Sequence, residues 1–353
     1  MFVALRDIRF AKGRFALMGA VVTLITTLVV FLYGLTGGLA RAASSAIAEL
    51  PADSVVFGAL PGAEPEVSFS NSTVSAGQES AWAHAPGVRG AEPFGTAMTR
   101  MTAGSRAESV SVIGSGAALL PPVSEGIAPR DGQAAVSSGL AKEHGLRPGD
   151  RITLGTEELT VSAVTADRSF GHAGTVWTSL PTWQRISHQD RPTALALTGG
   201  VPATPAADGT RAVALDDALA GINGYAAEQG SLRLIQGFLF AVSALVTGAF
   251  FTVWTVQRKP DIAVLKAVGA GSGYLVRDAL AQAAAVLLLG ALLGAAAGVA
   301  GGAVAGRAVP FALGPATAAV PVTAMVLLGL AGSALAVRRI TSVDPLTALG
   351  ATR

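Results

Sequence analysis

Four long apolar runs constrain the fold of this chain more than any other feature. They hold no acidic or basic residue beyond their edges, and they are Phe15–Gly38, Leu232–Val256, Ala279–Ala305 and Ala308–Val337. Each exceeds the roughly 18 apolar residues that indicate a membrane-spanning helix. A buried helix of a soluble protein explains one such run but not four. The chain is also 14% charged, against about 25% in soluble domains. We therefore predict an α-helical membrane protein with four transmembrane helices.

The positions of the basic residues predict the orientation in the membrane. Lys and Arg close to the ends of spans mark the cytoplasmic side. Three clusters lie at such ends: Arg6, Arg9, Lys12 and Arg14; Arg258, Lys259, Lys266 and Arg277; Arg338 and Arg339. They place both termini and the 257–277 loop in the cytoplasm of a multi-pass protein of the plasma membrane. The net charge of +2 is too small to favour a nucleic acid as partner.

The first span has a flank on each side. Residues 1–14 alternate apolar and charged side chains, which predicts a cytoplasmic interfacial helix. The alternative is the basic flank of a signal peptide, but the apolar run is longer than the usual core of about 7–15 residues. The helical pattern continues to Leu50, and Pro51 ends it. A helix over 15–50 is about 54 Å long, more than the bilayer core of about 30 Å. The excess predicts a stalk.

Residues 51–230 predict one extracytoplasmic α+β domain between helices 1 and 2. Short β-rich pieces are bounded by Gly, Pro or Asp; they are Ser54–Leu60, Glu108–Ile113, Arg151–Leu154, Glu158–Thr165 and Gly174–Ser179. A helix is predicted over Ser137–His144, capped by Gly145 and followed by a turn at Pro148-Gly149-Asp150.

The remaining chain alternates membrane and cytoplasm. We assign transmembrane helix 2 to 231–257, a cytoplasmic loop to 258–277, helix 3 to 278–306, a short outer loop with helix 4 to 307–337, and a tail to 338–353. Helix 3 carries a stripe of glycines four residues apart, Gly290, Gly294, Gly298 and Gly302. Such a stripe lets helices approach closely. Packing within the bundle is the simpler interpretation, and a face between subunits is the alternative.

The cytoplasmic loop predicts a short amphipathic helix at the water boundary. Pro260 suits the first turn of a helix, and Asp261 follows where the helix dipole favours a negative charge. Leu265 and Lys266 continue at helical spacing, and Gly269 offers a stop.

Three stretches resemble one family, the FtsX/MacB-like permeases of ABC transporters (the four-span, type VII-like class). The loop is similar to the family's coupling helix, Val136–Thr153 resembles the MacB periplasmic core domain, and Arg338–Leu349 resembles the terminal motif. The resemblance implies that the loop docks on a separate ATPase subunit. The residues carried over to that role are Arg258, Lys259, Pro260, Asp261, Leu265 and Lys266. Because ABC ATPases work as pairs, two ATPase copies and a homodimer of this chain are expected.

Catalytic chemistry is not predicted within the chain itself. No phosphate-binding Gly-x-x-x-x-Gly-Lys-Ser/Thr loop is present, so ATP is expected to act through the partner subunit. The sequence has no cysteine, which removes thiolate metal sites. The four histidines are scattered and are interpreted as solvated surface residues: His84, His144, His172 and His188. We predict no catalytic residue, no metal site and no intrinsic cofactor.

The cargo is suggested by a narrower resemblance. The N-terminal Leu5–Phe15 and the length are most similar to the haem-efflux permeases of Gram-positive bacteria, which implies haem as transported ligand. Tyr33 is the candidate iron ligand, Arg41 the candidate propionate partner, and Glu49 a further cargo contact. The alternatives are an interface anchor for Tyr33 and an exposed stalk charge for Arg41. Two other functions stay open: an FtsX-like mechanotransmission scaffold for a cell-wall hydrolase, or an exporter or extractor of lipoproteins or antimicrobial peptides.

Overall fold

The computed structural model describes residues 12–202, 204–257, 264 and 271–341. These residues divide into two compact units. The helical unit holds the described residues up to Gly38 and from Ser231 onward, and the α+β unit is Leu39–Gly230. Three predictions lie outside the described residues: the interfacial helix before residue 12, the coupling helix over 258–269 apart from Val264, and the terminal motif after Thr341.

The helices of the described residues are α1 (Lys12–Ala48), α2 (Ala76–Ala83), α3 (Ser138–His144), α4 (Leu180–Ser187), α5 (Leu215–Ala218), α6 (Tyr225–Gln257), α7 (Ser272–Ala305) and α8 (Pro315–Thr341). The strands are β1 (Ser54–Gly58), β2 (Val88–Ala103), β3 (Arg106–Ser115), β4 (Val123–Gly126), β5 (Gln133–Ser137), β6 (Arg151–Leu154), β7 (Glu157–Thr165), β8 (Ser169–Phe170), β9 (Ala173–Thr178), β10 (Ala194–Gly199) and β11 (Thr210–Ala214).

Four helices of the described residues are long and apolar enough to cross a membrane: α1, α6, α7 and α8. The core of the helical unit is formed by Met18 and Val22 of α1 with Ala283, Val286 and Leu287 of α7. Phe250 and Leu330 pack against this core from α6 and α8. The four predicted spans are therefore present as helices. The first begins at Lys12 and ends at Ala48, two residues before the predicted end.

Phe311, in the connection between α7 and α8, fills the space that two glycines leave open. A Cβ on Gly34 of α1, or on Gly302 of α7, would lie within 2.4 Å of its ring. The ring also packs against Phe31 at a centroid distance of 5.3 Å, and the amide of Ala312 donates to Gly34 O at 2.9 Å. The connection is thereby fixed onto α1.

The α+β unit begins with an open antiparallel sheet in the order β11-β1-β10-β2. Helix α2 covers one face of it, and its Trp82 packs with Val56, Leu195 and Leu197. The start of α2 is fixed by a capping box, in which Ser75 and Gln78 each satisfy the other's backbone amide.

The second part of this unit is a closed β-barrel. The strands pair in the ring β2-β3-β9-β5-β7-β6 and back to β2. Closure is possible because β2, with 16 residues, is long enough to serve both the open sheet and the barrel. The barrel core includes Val110, Val112, Val136 and Val161.

Alternate residues of the barrel strands face a second core. Ile113, Ala135 and Trp177 point away from the barrel interior, as the two-residue period of a strand requires. They pack with an aromatic cluster whose members are Phe57, Phe69, Phe94 and Phe170. The end of α1 supplies Ala46 and Ile47 to the same core.

The five predicted strands are all present, within two residues of their predicted ends, and the predicted helix is α3. Gly145 caps it with a φ of +68°, a conformation that glycine adopts without strain. One prediction was wrong. His144 is not a solvated surface residue, because its side chain is 3% exposed and its Nε2 lies 3.2 Å from Glu108 Oε1. That contact lacks hydrogen-bond geometry, so it is an ion pair only when the ring is protonated. His84, His172 and His188 are exposed, as predicted.

Candidate functional site

The last turns of α1 are built into the α+β unit. Five consecutive residues, from Ala43 to Ile47, are buried. Consecutive residues of a helix point in different directions around its axis, about 100° apart. Burial of all five means that protein surrounds this end of the helix, so α1 is part of the core of the unit and not an appendage to it.

The β8–β9 hairpin makes the polar contacts to this helix end. Its two-residue turn is Gly171-His172, with φ values of +58° and +63°, as a type I′ turn requires. The amide of Gly171 donates to Ala43 O at 2.8 Å, and that of His172 donates to Ala42 O at 3.1 Å. The amide of Ser169 donates to Ser45 Oγ at 2.8 Å. Three backbone donors of the hairpin therefore bind one turn of α1.

Two arginines share the carboxylate of Glu49, just beyond the end of α1. Arg168 Nη2 lies 2.7 Å from Glu49 Oε2, and Arg41 Nη2 lies 3.5 Å from Glu49 Oε1. The Arg168 side chain is 13% exposed, whereas that of Arg41 is 68% exposed. The nearer, more buried pair is the stronger one, because water screens charges less there. Glu49 is therefore held chiefly by Arg168, and the Arg41 guanidinium faces solvent.

The hairpin also contacts the first turn of α6. His172 Nε2 lies 2.9 Å from Glu228 Oε2, within hydrogen-bond distance. The ring nitrogen is the only possible donor of this pair while the carboxylate is ionised.

The three residues predicted to contact cargo fall in different units. Arg41 and Glu49 are brought together in the α+β unit. Tyr33 is half-buried in the helical unit, two residues from Phe31 and its partner Phe311. Reasoning from sequence missed Arg168 and Glu228, because neither lies in a recognisable motif or near its partner along the chain. The hairpin itself had no strong sequence signal, because Gly171-His172 is not one of the common two-residue turns and β8 has only two residues.

The glycine stripe of α7 lies against α1. A Cβ on Gly294 would lie 2.6 Å from Thr23 O, and one on Gly290 or Gly298 would lie 2.9 Å from Val22 or Val30. Gly302 faces Phe311 instead. The close approach allows Thr27 Oγ1 to donate to Gly294 O at 3.2 Å. This contact is within one chain, in line with the simpler of the two interpretations.

An apolar groove of about 660 Å³ lies beside this contact in the helical unit. Small residues of α1 form one wall, among them Gly19, Ala20 and Thr23, and Leu289 and Leu293 of α7 form the other. Its lining is almost entirely apolar. The single hydroxyl proton of Thr27, at the edge of the groove, is shared between Thr23 O at 2.8 Å and Gly294 O at 3.2 Å. The groove suits a hydrocarbon chain or a flat apolar ring system.

In the part of the chain that the structure describes, no three His, Asp or Glu side chains are grouped as metal ligands. The predicted coupling residues, Arg258, Lys259, Pro260, Asp261, Leu265 and Lys266, lie outside the described residues.

Comparison with known families accounts for both units. Residues 15–222 match the model of the MacB-like periplasmic core domain. Residues 233–345 match the model of the FtsX-like permease C-terminal region. The first match alone covers more than half of the chain.

The chain belongs to the FtsX/MacB family of ABC transporter permeases. The permease is thus a multi-pass membrane protein, and in its family ATP hydrolysis resides in a separate subunit. The α+β unit is its MacB-like periplasmic core domain.

Full-length relatives have low sequence identity to the permease. It is 23% identical over 358 residues to the putative hemin transport system permease protein HrtB of Staphylococcus epidermidis, with 99% of each chain covered. It is 26% identical over 369 residues to an uncharacterized ABC transporter permease of Mycobacterium tuberculosis, again with 99% of each chain covered. The periplasmic region of MacB from Actinobacillus actinomycetemcomitans superposes on 47% of this chain and 90% of its own, with a TM-score of 0.37 and 8% identity.

Proposed function

We propose that the permease exports haem from the membrane and is driven by a separate ATPase subunit. The observation that carries this proposal is the full-length similarity to the putative hemin transport system permease proteins HrtB. The match includes both the membrane helices and the α+β unit, because it covers 99% of each chain. An amphipathic cargo is also compatible with the apolar groove between α1 and α7.

The proposed contacts assign one residue to the haem iron and another to a haem propionate. Tyr33 is the iron ligand, since a phenolate is one of the ligands that haem iron takes in proteins. Arg41 binds a propionate, for which its exposed guanidinium, 3.5 Å from Glu49, needs only to exchange one carboxylate for another. Glu49 keeps Arg168 as its partner during that exchange.

The movement driven by ATP is proposed to reach the permease through the cytoplasmic loop. Arg258, Lys259, Pro260, Asp261, Leu265 and Lys266 form the helix that docks on the ATPase, and both termini lie on the same side of the membrane. Two ATPase copies act on a homodimer of the permease. The homodimer is expected because ABC ATPases work as pairs. Leu234, Phe238, Val242 and Leu245 of α6 are exposed and follow helical spacing, and a face of this kind packs either against lipid or against a second copy.

Haem titration of the purified permease tests the cargo and its ligand. In Tyr33→Phe the ring remains and the phenolate is lost, so the haem absorbance band is expected to shift and the affinity to fall about tenfold or more. Tyr274→Phe is the matched control, because Tyr274 is half-exposed on α7, and it should leave the spectrum unchanged. If wild type shows no saturable haem binding, haem is not the cargo.

A mechanotransmission scaffold is the second candidate function. It is favoured by the burial of the end of α1, which would pass movement of that helix directly to the α+β unit. A scaffold of this kind needs a protein partner and no cargo. Affinity purification of the permease from its own membranes separates the two: a cell-wall hydrolase retained in stoichiometric amount supports the scaffold, and a coloured or lipidic ligand supports the exporter.

A further inference from the structure

We propose that the β8–β9 hairpin and Arg168 form a rigid connection to the end of α1, which we call the joint. The joint moves as one body with this helix end and transmits the movement of α1 to the barrel. This inference rests on the proposed ATP-driven mechanical coupling, but it does not depend on haem as the cargo. Arg168 and His172 are positioning residues in this scheme, because neither needs to touch the cargo.

The hydrogen bonds from the hairpin to α1 break only together. The amides of Ser169, Gly171 and His172 all donate to a single turn of the helix. Sliding or rotating α1 relative to the hairpin breaks all three hydrogen bonds together. The receiving turn is buried, so water does not replace the lost partners cheaply.

Arg168 adds an ion pair to the hydrogen bonds that join the hairpin to the helix end. Its guanidinium binds Glu49 at 2.7 Å through Nη2 and donates to Asp167 O at 2.9 Å through Nη1. Arg168 directly precedes β8, so this pair lies in continuity with the hairpin contacts. The Arg168 side chain is 13% exposed and that of Glu49 is 40% exposed, so water screens this ion pair only in part. The pair holds the Glu49 carboxylate beside the segment that leads into β8.

The hairpin reaches α6 as well. His172 donates its amide to Ala42 O on α1, while its ring contacts Glu228 on α6. One residue therefore joins the ends of two helices that both continue as membrane spans. Its positive φ of +63° is the conformation that the type I′ turn requires, and in that conformation the residue makes both contacts.

The path from the joint into the barrel is short. Among the described strands β8 pairs only with β9, and it has two residues. Strand β9 lies between β3 and β5 in the closed ring. Movement of the hairpin therefore enters the barrel through a strand held on both sides, which resists being pulled out of register.

Hydrogen-exchange mass spectrometry of the permease–ATPase complex in lipid nanodiscs tests the joint without any cargo. The amides of Ser169, Gly171 and His172 should be protected without nucleotide and equally protected with ATP and vanadate. Arg168→Gln should raise their exchange about tenfold, the loss expected for one charge-assisted contact. Arg168→Lys should restore most of the protection.

The matched control is Arg185→Gln, because Arg185 is also ion-paired in the α+β unit, with Glu157 at 3.2 Å, away from the hairpin. It should change neither the hairpin exchange nor the transport. In Arg168→Gln, ATP hydrolysis should persist while haem exported per ATP falls several-fold. Loss of protection in the wild-type vanadate state would show that the joint opens, and would overturn the proposal. Full protection with no haem export in wild type would instead refute the cargo and leave the joint intact.

Discussion

Trp183 shows how single residues determine the packing of the α+β unit. Its indole occupies a slot on the barrel where Gly95 and Gly114 are directly paired across β2 and β3. A Cβ on either glycine would lie within 2.4 Å of the Trp183 side chain. The largest side chain of the barrel core therefore packs against the two strands at the one position where neither strand carries a side chain. The slot is necessary because α4 lies directly on the two strands.

Gly114→Ala is expected to destabilise the α+β unit by about 1–3 kcal/mol, because the added methyl would lie 2.1 Å from Cβ of Trp183, which cannot move without its backbone. The measurement is thermal unfolding of the purified permease followed by tryptophan fluorescence. Gly77→Ala is the control, since nothing lies within 4 Å of its added Cβ and alanine favours helix α2. A melting temperature of Gly114→Ala equal to that of wild type would contradict the described packing of Trp183.

At the scale of elements, α1 and α7 approach each other along the glycine stripe. The spacing of four residues was readable in the sequence, and it predicted a close helix contact but not the identity of the partner helix. The partner depends on Gly19, Thr23 and Thr27 of α1, small or short side chains that no local pattern distinguishes from the rest of that span. Predicting the pair requires knowing which faces meet, which is a property of the folded bundle.

Gly294→Ala should separate α1 from α7, because its Cβ would lie 2.6 Å from the backbone oxygen of Thr23, which has no freedom to move aside. The expected cost is about 1–3 kcal/mol, seen as a lower midpoint of SDS-induced unfolding. Gly301→Ala on the same helix is the comparison, since its nearest neighbour, Phe31, is at 3.8 Å. Equal midpoints for the two variants would rule out the contact.

At the scale of the whole molecule, the four apolar helices and the α+β class of the segment between the first two followed from the sequence, and the closed ring of strands did not. Strands such as Arg151–Leu154 have local signals, because turn residues bound them and apolar side chains alternate. Ring closure depends on β6 pairing with both β2 and β7, contacts between segments far apart in the chain. The same reason explains His144, which is buried 3.2 Å from Glu108 of β3, and the pair of Arg168 with Glu49.

The cytoplasmic loop should be required for assembly with the ATPase. Lys259→Glu/Lys266→Glu reverses two charges in the proposed docking helix, and the ATPase subunit should no longer co-purify, because like charges across an interface cost several kcal/mol. Lys142→Glu/Arg147→Glu makes the same change of net charge on exposed residues of the α+β unit, and should co-purify normally. An intact complex with the first variant would exclude docking through this loop.

The burial of Ala43–Ile47 decides where a recombinant fragment of the α+β unit has to begin. The sequence invites a cut at Pro51, where the helical pattern stops. A polypeptide starting there would lose Ile47 from the core that contains Phe57 and Phe69, and its aromatic side chains would face water and promote aggregation. A fragment that starts at Leu39 keeps the end of α1 in this core. The secretion yield and the solubility of this longer fragment should therefore exceed those of the fragment that starts at Pro51.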